Sequence, residues 1–431
     1  MARSVGQRLP PAYWRLWSAS GISNLGDGVF IVALPLLAAR LTRDEVSISL
    51  IAAAAALPWL ALSLPIGALI DRSDRKHIMV ISDSIRAAVV GVLAVVVAFD
   101  AAEIWMLWVV AISLGTAEVF FDNASQAIVP ALVPTRLLAK ANGRRYAVEL
   151  GANTFIGTPL GSVLFAAALF LPFGVDAVTF AIAAALVMSI RGNFNPNTEA
   201  RHESASIYAE IRTGWRFLWR QPLLRTVAIS LGLSNLAFQM PAAVFVLFAQ
   251  DELGVGERGF GLLLGVMGIG AVLGGVLGDR IVARLGQAAS IYTALVTWIL
   301  SLAAVGAFPV AWFVALAVAI ESMAATVWNV VMVSLRQQII PARLFGRVNS
   351  VYRWFGWGTL PIGSVLGGQV AHWLGLRATY FVGAGVMVLA LLVALRSVNT
   401  AAIVRALSAN RVSLGTDATP VVVPRDELFF D

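Results

Sequence analysis

Gly67-Ala68-Leu69-Ile70-Asp71-Arg72 and Gly275-Val276-Leu277-Gly278-Asp279-Arg280 carry one pattern, G-x-L-x-D-R, in a chain of 431 residues. Asp71 and Asp279 stand 208 positions apart, nearly half the chain. Each copy closes a long apolar stretch. Charge set abruptly at the end of a hydrophobic run, twice at half-chain spacing, points to a duplicated membrane protein.

The composition agrees. The chain is 59% hydrophobic and 13% charged, with a mean hydropathy of +0.82, whereas a soluble domain is about one-quarter charged. So few charges cannot cover a water-facing surface. There is no cysteine, which excludes disulfides and thiolate metal sites, and His77, His202 and His372 show no metal-ligand spacing. No metal or cofactor is expected. The net charge of +7 reads as basic cytoplasmic loops rather than as nucleic-acid binding. The segment before Arg15 is basic and polar. The apolar run after it is too long, and lacks the small-residue cleavage site, for a cleavable signal peptide.

A spanning helix needs about 20 mostly apolar residues. Twelve stretches qualify: 13–38, 47–70, 77–99, 103–129, 143–171, 174–191, 223–249, 258–279, 287–307, 310–335, 347–373 and 377–396. They are continuous rather than alternating, so helices are expected, not a barrel. If the N-terminus is cytoplasmic, 25 of the 31 lysines and arginines fall on cytoplasmic segments. Four (Arg40, Arg43, Arg258, Arg377) fall on the opposite loops, and two (Arg86, Arg353) lie inside spans. That asymmetry places both termini inside. The expected organisation is a six-helix half over 1–191, a linker over 192–222, a second six-helix half over 223–396 and a disordered tail over 397–431. In the linker, Ile207, Ile211, Trp215 and Leu218 recur at helical spacing with Arg212, Arg216 and Arg220 between them. This predicts an amphipathic helix on the cytoplasmic interface.

The duplication extends beyond the opening motif. Gly21-Ile22-Ser23-Asn24-Leu25 recurs as Gly232-Leu233-Ser234-Asn235-Leu236, offset by 211. Gln126-Ala127-Ile128-Val129-Pro130 resembles Gln337-Gln338-Ile339-Ile340-Pro341 at the same offset, and Pro159-Leu160-Gly161-Ser162-Val163-Leu164 matches Pro361-Ile362-Gly363-Ser364-Val365-Leu366, offset by 202. Halves of like topology are parallel repeats about an axis along the membrane normal, with a substrate cavity between them.

With these motifs the chain resembles the major facilitator superfamily over nearly its whole length. Gly67, Asp71, Arg72, Arg75 and Lys76 look like its signature loop between the second and third helices. Gly275, Asp279, Arg280 and Arg284 look like the second copy, between the eighth and ninth. Phe121-Asp122-Asn123-Ala124, Leu137 to Asn142, and Thr213-Gly214-Trp215-Arg216-Phe217-Leu218 resemble the enterobactin-exporter-like and macrolide-efflux-like branch. The resemblance implies an all-α membrane fold of two pseudo-symmetric six-helix halves. It also implies a gate in which Asp71 meets the start of the eleventh helix near Gly346 and Arg347, and Asp279 the start of the fifth near Asn142 and Gly143. The bland alternative is a plain loop whose charges only orient the helices. Exporters of the superfamily carry a glycine-proline motif in the fifth helix. Here Gly157-Thr158-Pro159-Leu160-Gly161-Ser162 keeps two glycines, but the proline is displaced and Ser162 stands where glycine is expected.

Ionisable groups inside spans are energetically expensive, at least about 2.5 kcal/mol each by insertion scales. Asp27, flanked by Gly26 and Gly28, has Phe238 as its counterpart at the 211 offset, so this acid is present in one half only. It is the leading proton-coupling candidate; the alternative is a carboxylate held by Arg86. Asp83 and Arg86, spaced i, i+3, are expected to pair. Glu118 and Asp122 share a helical face and suit proton exchange; Glu149 is ambiguous. Glu321 and Arg353, the charges well inside the second half, are expected either to pair or to bind substrate. Trp328, Trp354 and Trp357 can line an apolar cavity or, with Trp59, Trp105, Trp108, Trp298 and Trp312, serve packing and the headgroup belt. No nucleotide-binding loop is present. The expected activity is proton-coupled export of a hydrophobic or amphipathic small molecule by a monomer in a bacterial plasma membrane, its partners being substrate, protons and the lipid bilayer. A nutrient importer on the same fold and a non-transporting scaffold are the rivals.

Overall fold

The computed structural model describes residues 9–62, 65–70, 73–192, 194 and 207–413, and every element among them is helical. The first half holds α1 (Pro11–Leu41), α2 (Glu45–Leu62), the short α3 (Ile66–Ile70), α4 (Arg75–Ala98) and α5 (Ile104–Leu132). A compound span follows: a 3-10 turn, then α6 (Leu138–Leu150), a π-helical segment (Gly151–Gly157) and α7 (Thr158–Ala167). The half closes with α8 (Leu171–Met188), and α9 (Ile207–Arg220) occupies the linker. The second half holds α10 (Pro222–Ala243), α11 (Phe245–Leu247) with a second π-helical segment (Phe248–Glu252), and α12 (Glu257–Leu285). It continues with α13 (Gln287–Ala307), α14 (Ala311–Ile339), α15 (Ala342–Gly358), α16 (Leu360–Leu374), α17 (Ala378–Leu395) and α18 (Thr400–Ser413).

Eleven helices among the described residues are long and apolar enough to cross a membrane. The remaining expected span, 347–373, is divided between α15 and α16, which meet at Thr359. Pro361 falls in the first turn of α16, where its missing N–H leaves no helical bond unmade.

Two boundaries differ from expectation. The run expected to end at 279 continues as α12 to Leu285, so Asp279 and Arg280 lie on a helix rather than in a loop. Arg284 in the last turn suits the negative end of the helix dipole, and Gly286 at φ +78° then turns the chain directly into α13. The tail, expected to be disordered from 397, instead starts with α18. Val398 and Ile403 are buried against the second half, and the Ala402 N–H donates to Asn399 Oδ1 at 2.7 Å. Residues 414–431 lie outside the described residues.

The repeat is visible in the packing. In the first half a Cβ at Gly157 would meet Leu25 O at 2.7 Å, and one at Gly161 would meet Val29 O at 2.6 Å. In the second half Gly363 meets Leu236 O at 2.8 Å and Gly367 meets Met240 O at 2.2 Å. Leu236 and Met240 are Leu25 and Val29 displaced by the same 211 residues. Both halves therefore seat α1 or α10 directly on a glycine-bearing helix, with backbone closer than any side chain allows.

The halves are joined at one end and separate at the other. The end carrying the α1–α2 loop has a single apolar core shared by both halves, in which Leu34, Leu37 and Phe165 cluster with Val246, Leu247 and Phe260. At the opposite end, which carries the two G-x-L-x-D-R copies, each half has a core of its own. The linker helix α9 buries Leu218 and stacks Trp215 and Trp219 on Phe355 of α15 at 5.3 and 5.9 Å. Part of its apolar face is thus spent on protein.

Candidate functional site

The closed end is tied by charge as well as by the apolar core. Arg40 pairs with Glu257, Arg43 with Asp251, and Arg43 Nη1 donates to Gln250 Oε1 at 2.6 Å. His372 Nδ1 lies 3.4 Å from Glu45 Oε2. Each of these contacts joins residues of different halves. On the α2 side, Trp59 packs against Trp357 with ring centroids 4.5 Å apart and Trp354 Nε1 donates to Leu60 O at 3.2 Å. The seal therefore reaches about 20 Å along α2 from Glu45.

At the open end the contact expected of Asp279 with the start of the fifth helix is not formed among the described residues. Asp279 and Arg280 are exposed, as are Asn142 and Gly143, and the Cβ position of Gly143 has nothing within 4 Å. The reason is the separation of the halves at this end. Asp71 and Arg72 lie outside the described residues; Gly67 is in α3. Arg75 opens α4, its Nη1 donating to Ala127 O at 3.0 Å, while Asp74 caps that helix by accepting from the Lys76 and His77 N–H groups. Gly275 is on α12 with open space around it.

Inside the first half a polar cluster gathers on four helices. Arg86 of α4 lies 3.8 Å from Asp83. Its guanidinium sits between the rings of Phe121 and Phe180, at 5.3 and 5.2 Å. Asp83 is 0% and Arg86 3% exposed. This single cation acts electrostatically on Asp27 of α1, on Glu118 and Asp122 of α5, and on Asp83, and also on Asp176 of α8. Five carboxylates therefore lie within the electrostatic reach of one guanidinium. The excess negative charge has to be met by protons, cations or water, because an unbalanced charge at this depth is prohibitively costly. Glu118 is exposed and Asp27 and Asp122 are partly exposed, whereas Asp83 and Asp176 are buried. Glu149 pairs with Arg145 at 3.5 Å.

Asp176 escaped the sequence reading. It is 0% exposed, its Oδ1 accepts from Thr179 Oγ1 at 3.4 Å and its Oδ2 has no partner. The expected span began at 174, which left Asp176 at an edge; α8 begins at Leu171 and carries it inside. Gly26 makes room for it. A Cβ there would lie 2.2 Å from Asp176 Oδ1 and 2.0 Å from Thr179 Oγ1.

The second half presents a cavity of about 420 Å³ to the cleft, with Phe238, Trp298, Trp328 and Trp357 among its walls. Trp298 and Trp328 stand 5.4 Å apart. Arg336 lies over the Tyr352 ring at 4.1 Å and donates to Asn349 Oδ1 at 2.6 Å. Arg353 also lines the cavity. The expected pairing of Arg353 with Glu321 is not found. Glu321 of α14 stands beside the Ser301 hydroxyl of α13, and its backbone oxygen accepts from Trp298 Nε1 at 3.2 Å. Arg353 belongs to α15 and acts electrostatically on Asp122 of the other half. Trp328 and Trp357 reach the cavity; Trp105 and Trp312 are exposed at helix starts, where the headgroup belt would lie.

A two-half bundle with a one-ended cleft is the architecture of a carrier, and the sequence profile of the transmembrane secretion effectors matches residues 10–416. The chain belongs to that family. It is a multi-pass membrane transporter of the major facilitator fold. The chain is 29% identical to the multidrug efflux pump Tap of Mycolicibacterium fortuitum over 378 residues, covering 83% of this chain and 88% of that one. It is 30% identical to macrolide efflux protein A of Streptococcus pyogenes over 154 residues, 35% and 37% of the two chains. Among solved structures, a mutant of the nucleoside transporter NupG superposes with a TM-score of 0.73 at 13% identity, covering 89% of this chain and 98% of that one. That likeness is one of fold.

Proposed function

We propose that this chain is a proton-driven exporter, working as a monomer in a bacterial plasma membrane with both termini cytoplasmic. The observation that carries this reading is the excess of carboxylates that act on Arg86 inside one half of a bundle whose halves are joined at one end only. In this orientation the open end faces the cytosol, and the structure is the state that loads cargo. Asp27, Glu118 and Asp122, the members of the cluster that are not fully buried, are the groups that exchange protons, with Asp27 leading. Glu321, in the other half beside Ser301, is the weakest of the proton candidates. Relatives named as multidrug and macrolide efflux proteins support a hydrophobic or amphipathic cargo. In the opposite state the outer ion pairs break, and Asp71 and Asp279, with the arginines of their motifs, close the cytosolic end.

The test is drug accumulation in an efflux-deficient host. Cells expressing the protein should hold less of an amphipathic fluorescent drug than empty cells, and a protonophore should abolish the difference. Greater accumulation on expression would identify an importer instead, and no change in either direction with any compound of a panel would argue for a non-transporting scaffold.

A further inference from the structure

A second cavity, of about 380 Å³, shares no lining residue with the first. It lies at the open end, where the last span, α17, finishes and the first span of the same half, α10, begins. Gln221 and Pro222 come from the start of α10, Arg396 and Ser397 from the end of α17, and Asn399 and Arg405 from α18 and the turn before it. Among the described residues the lining holds two arginines and no carboxylate. The frame is fixed. Tyr292 of α13 donates to the Ala394 and Val398 carbonyls, Asn399 caps α18, and Val398 and Ile403 are buried in the core of the half. The cations are therefore presented by a packed turn. No side chain caps the start of α10, so the N–H groups of its first turn add positive potential to the same space.

The matching corner of the first half is closed by the chain itself. α1 begins at Pro11, the counterpart of Pro222 at the 211 offset. From α1, Arg15 Nη1 donates to Ser189 O at the end of α8, at 2.6 Å, and Lys76 Nζ donates to the neighbouring Ile190 O at 2.8 Å. The counterpart of Arg15 is Thr226, which is buried, and Arg225 beside it donates to Trp219 O at 3.4 Å. No arginine of α10 therefore crosses to α17 as Arg15 crosses to α8. The surface beside the cavity is apolar. Val388, Leu392 and Leu395 are exposed on α17 at helical spacing and lead up to Arg396, itself exposed. A soluble anion gains nothing from such a stripe, whereas an acyl chain does.

We propose that this cavity binds the headgroup of an anionic phospholipid. The phosphate is taken by Arg396 and Arg405, with the first N–H groups of α10 beside them, and an acyl chain lies along Val388, Leu392 and Leu395. The lipid then does in the second half what Arg15 does in the first: it joins the start of one span to the end of another, and here it also ties α18 to both. The site stands apart from cargo and protons, because it shares no residue with the cavity that faces the other half or with the polar cluster. A zwitterionic choline headgroup fits less well, since its ammonium would meet two arginines with like charge.

The test titrates dioctanoyl phosphatidylglycerol and dioctanoyl phosphatidylcholine into the purified full chain in nonionic detergent, with bound lipid counted by native mass spectrometry. Phosphatidylglycerol should bind at least about tenfold more tightly than phosphatidylcholine. Arg396→Gln and Arg405→Gln should each weaken phosphatidylglycerol by about fivefold and leave phosphatidylcholine unchanged. Both arginines are exposed, so the variants should unfold at the parent's temperature in lipid-free detergent. Lys140→Gln, which removes another exposed cation at the open end, should leave both lipids unchanged. Glycerol 3-phosphate and inorganic phosphate carry the anion without the chains and should fail to displace the lipid. Displacement by either at concentrations comparable with the lipid would mean a soluble-anion site and overturn the lipid assignment. Equal affinity for the two lipids, or a loss in Lys140→Gln as large as in Arg396→Gln, would show diffuse attraction and overturn the site.

Discussion

Arg86 and Arg353 are the arginines set within the membrane spans of the two halves, and they are held in opposite ways. Arg86 is sealed between two aromatic rings beside Asp83, with four more carboxylates around it. Arg353 is partly exposed on the lining of the second-half cavity, with no bonded partner among the described residues. The first belongs to the fabric of its half, whereas the second lines a cavity. A duplicated fold has thus been specialised by its charges, with acids collected in one half and an aromatic, basic cavity in the other.

The sharpest way to break this contrast is to remove each cation in turn. Arg86→Leu leaves buried carboxylates without their counter-charge, and breaking a buried pair in this way costs about 3–5 kcal/mol. Arg353→Gln removes a solvated, unpaired group and should change stability by less than about 1 kcal/mol. Thermal unfolding of the two variants in detergent checks the difference. Similar losses would mean that Arg353 is structural and that the comparison is wrong.

A smaller effect lies at the sealed rim. Asp44 precedes α2 and its Oδ2 accepts the Ser47 N–H at 2.7 Å. A side-chain hydrogen bond with Ser47 is the main influence holding the Asp44 carboxyl below its ordinary range. A depressed carboxyl stabilises the fold above its unfolded value, about 3.9, and loses that contribution as the pH falls through the lower folded value. Asp44→Ala should therefore destabilise by about 1 kcal/mol near pH 7. The gap from the parent should close as the pH falls below about 4. Unfolding followed from pH 7 to 3 measures it, and a gap independent of pH would show that the carboxylate is not responsible.

Much of the architecture was legible in the sequence because the signals are local. A bilayer requires long apolar runs, so the spans declare themselves, and the 211-residue offset between Leu25 and Leu236 reappears as matched glycine contacts. What stayed hidden depends on juxtaposition. Arg43 and Asp251 are 208 residues apart and read singly as loop charges. The joining of Asp176 to the polar cluster depends on how α8 lies against α1 at Gly26. The extension of α12 past Asp279 was masked because polar residues at the end of an apolar run look the same in a loop or on a protruding helix. Glu321 and Arg353, charges within apolar runs of one half, read equally as a pair or as substrate ligands; the helix faces they occupy send one to Ser301 and the other to the cavity.

If the first half drives export through its surplus acids, neutralising Asp27 should uncouple drug movement from the proton gradient. The direct measurement is uptake of an amphipathic drug into inside-acidic proteoliposomes, carried out over a series of imposed pH differences with wild type and Asp27→Asn. Wild-type uptake should rise steeply with the pH difference, whereas the Asp27→Asn protein should still bind drug but respond little or not at all. Equal steepness in the two proteins would mean that Asp27 does not couple proton movement to export.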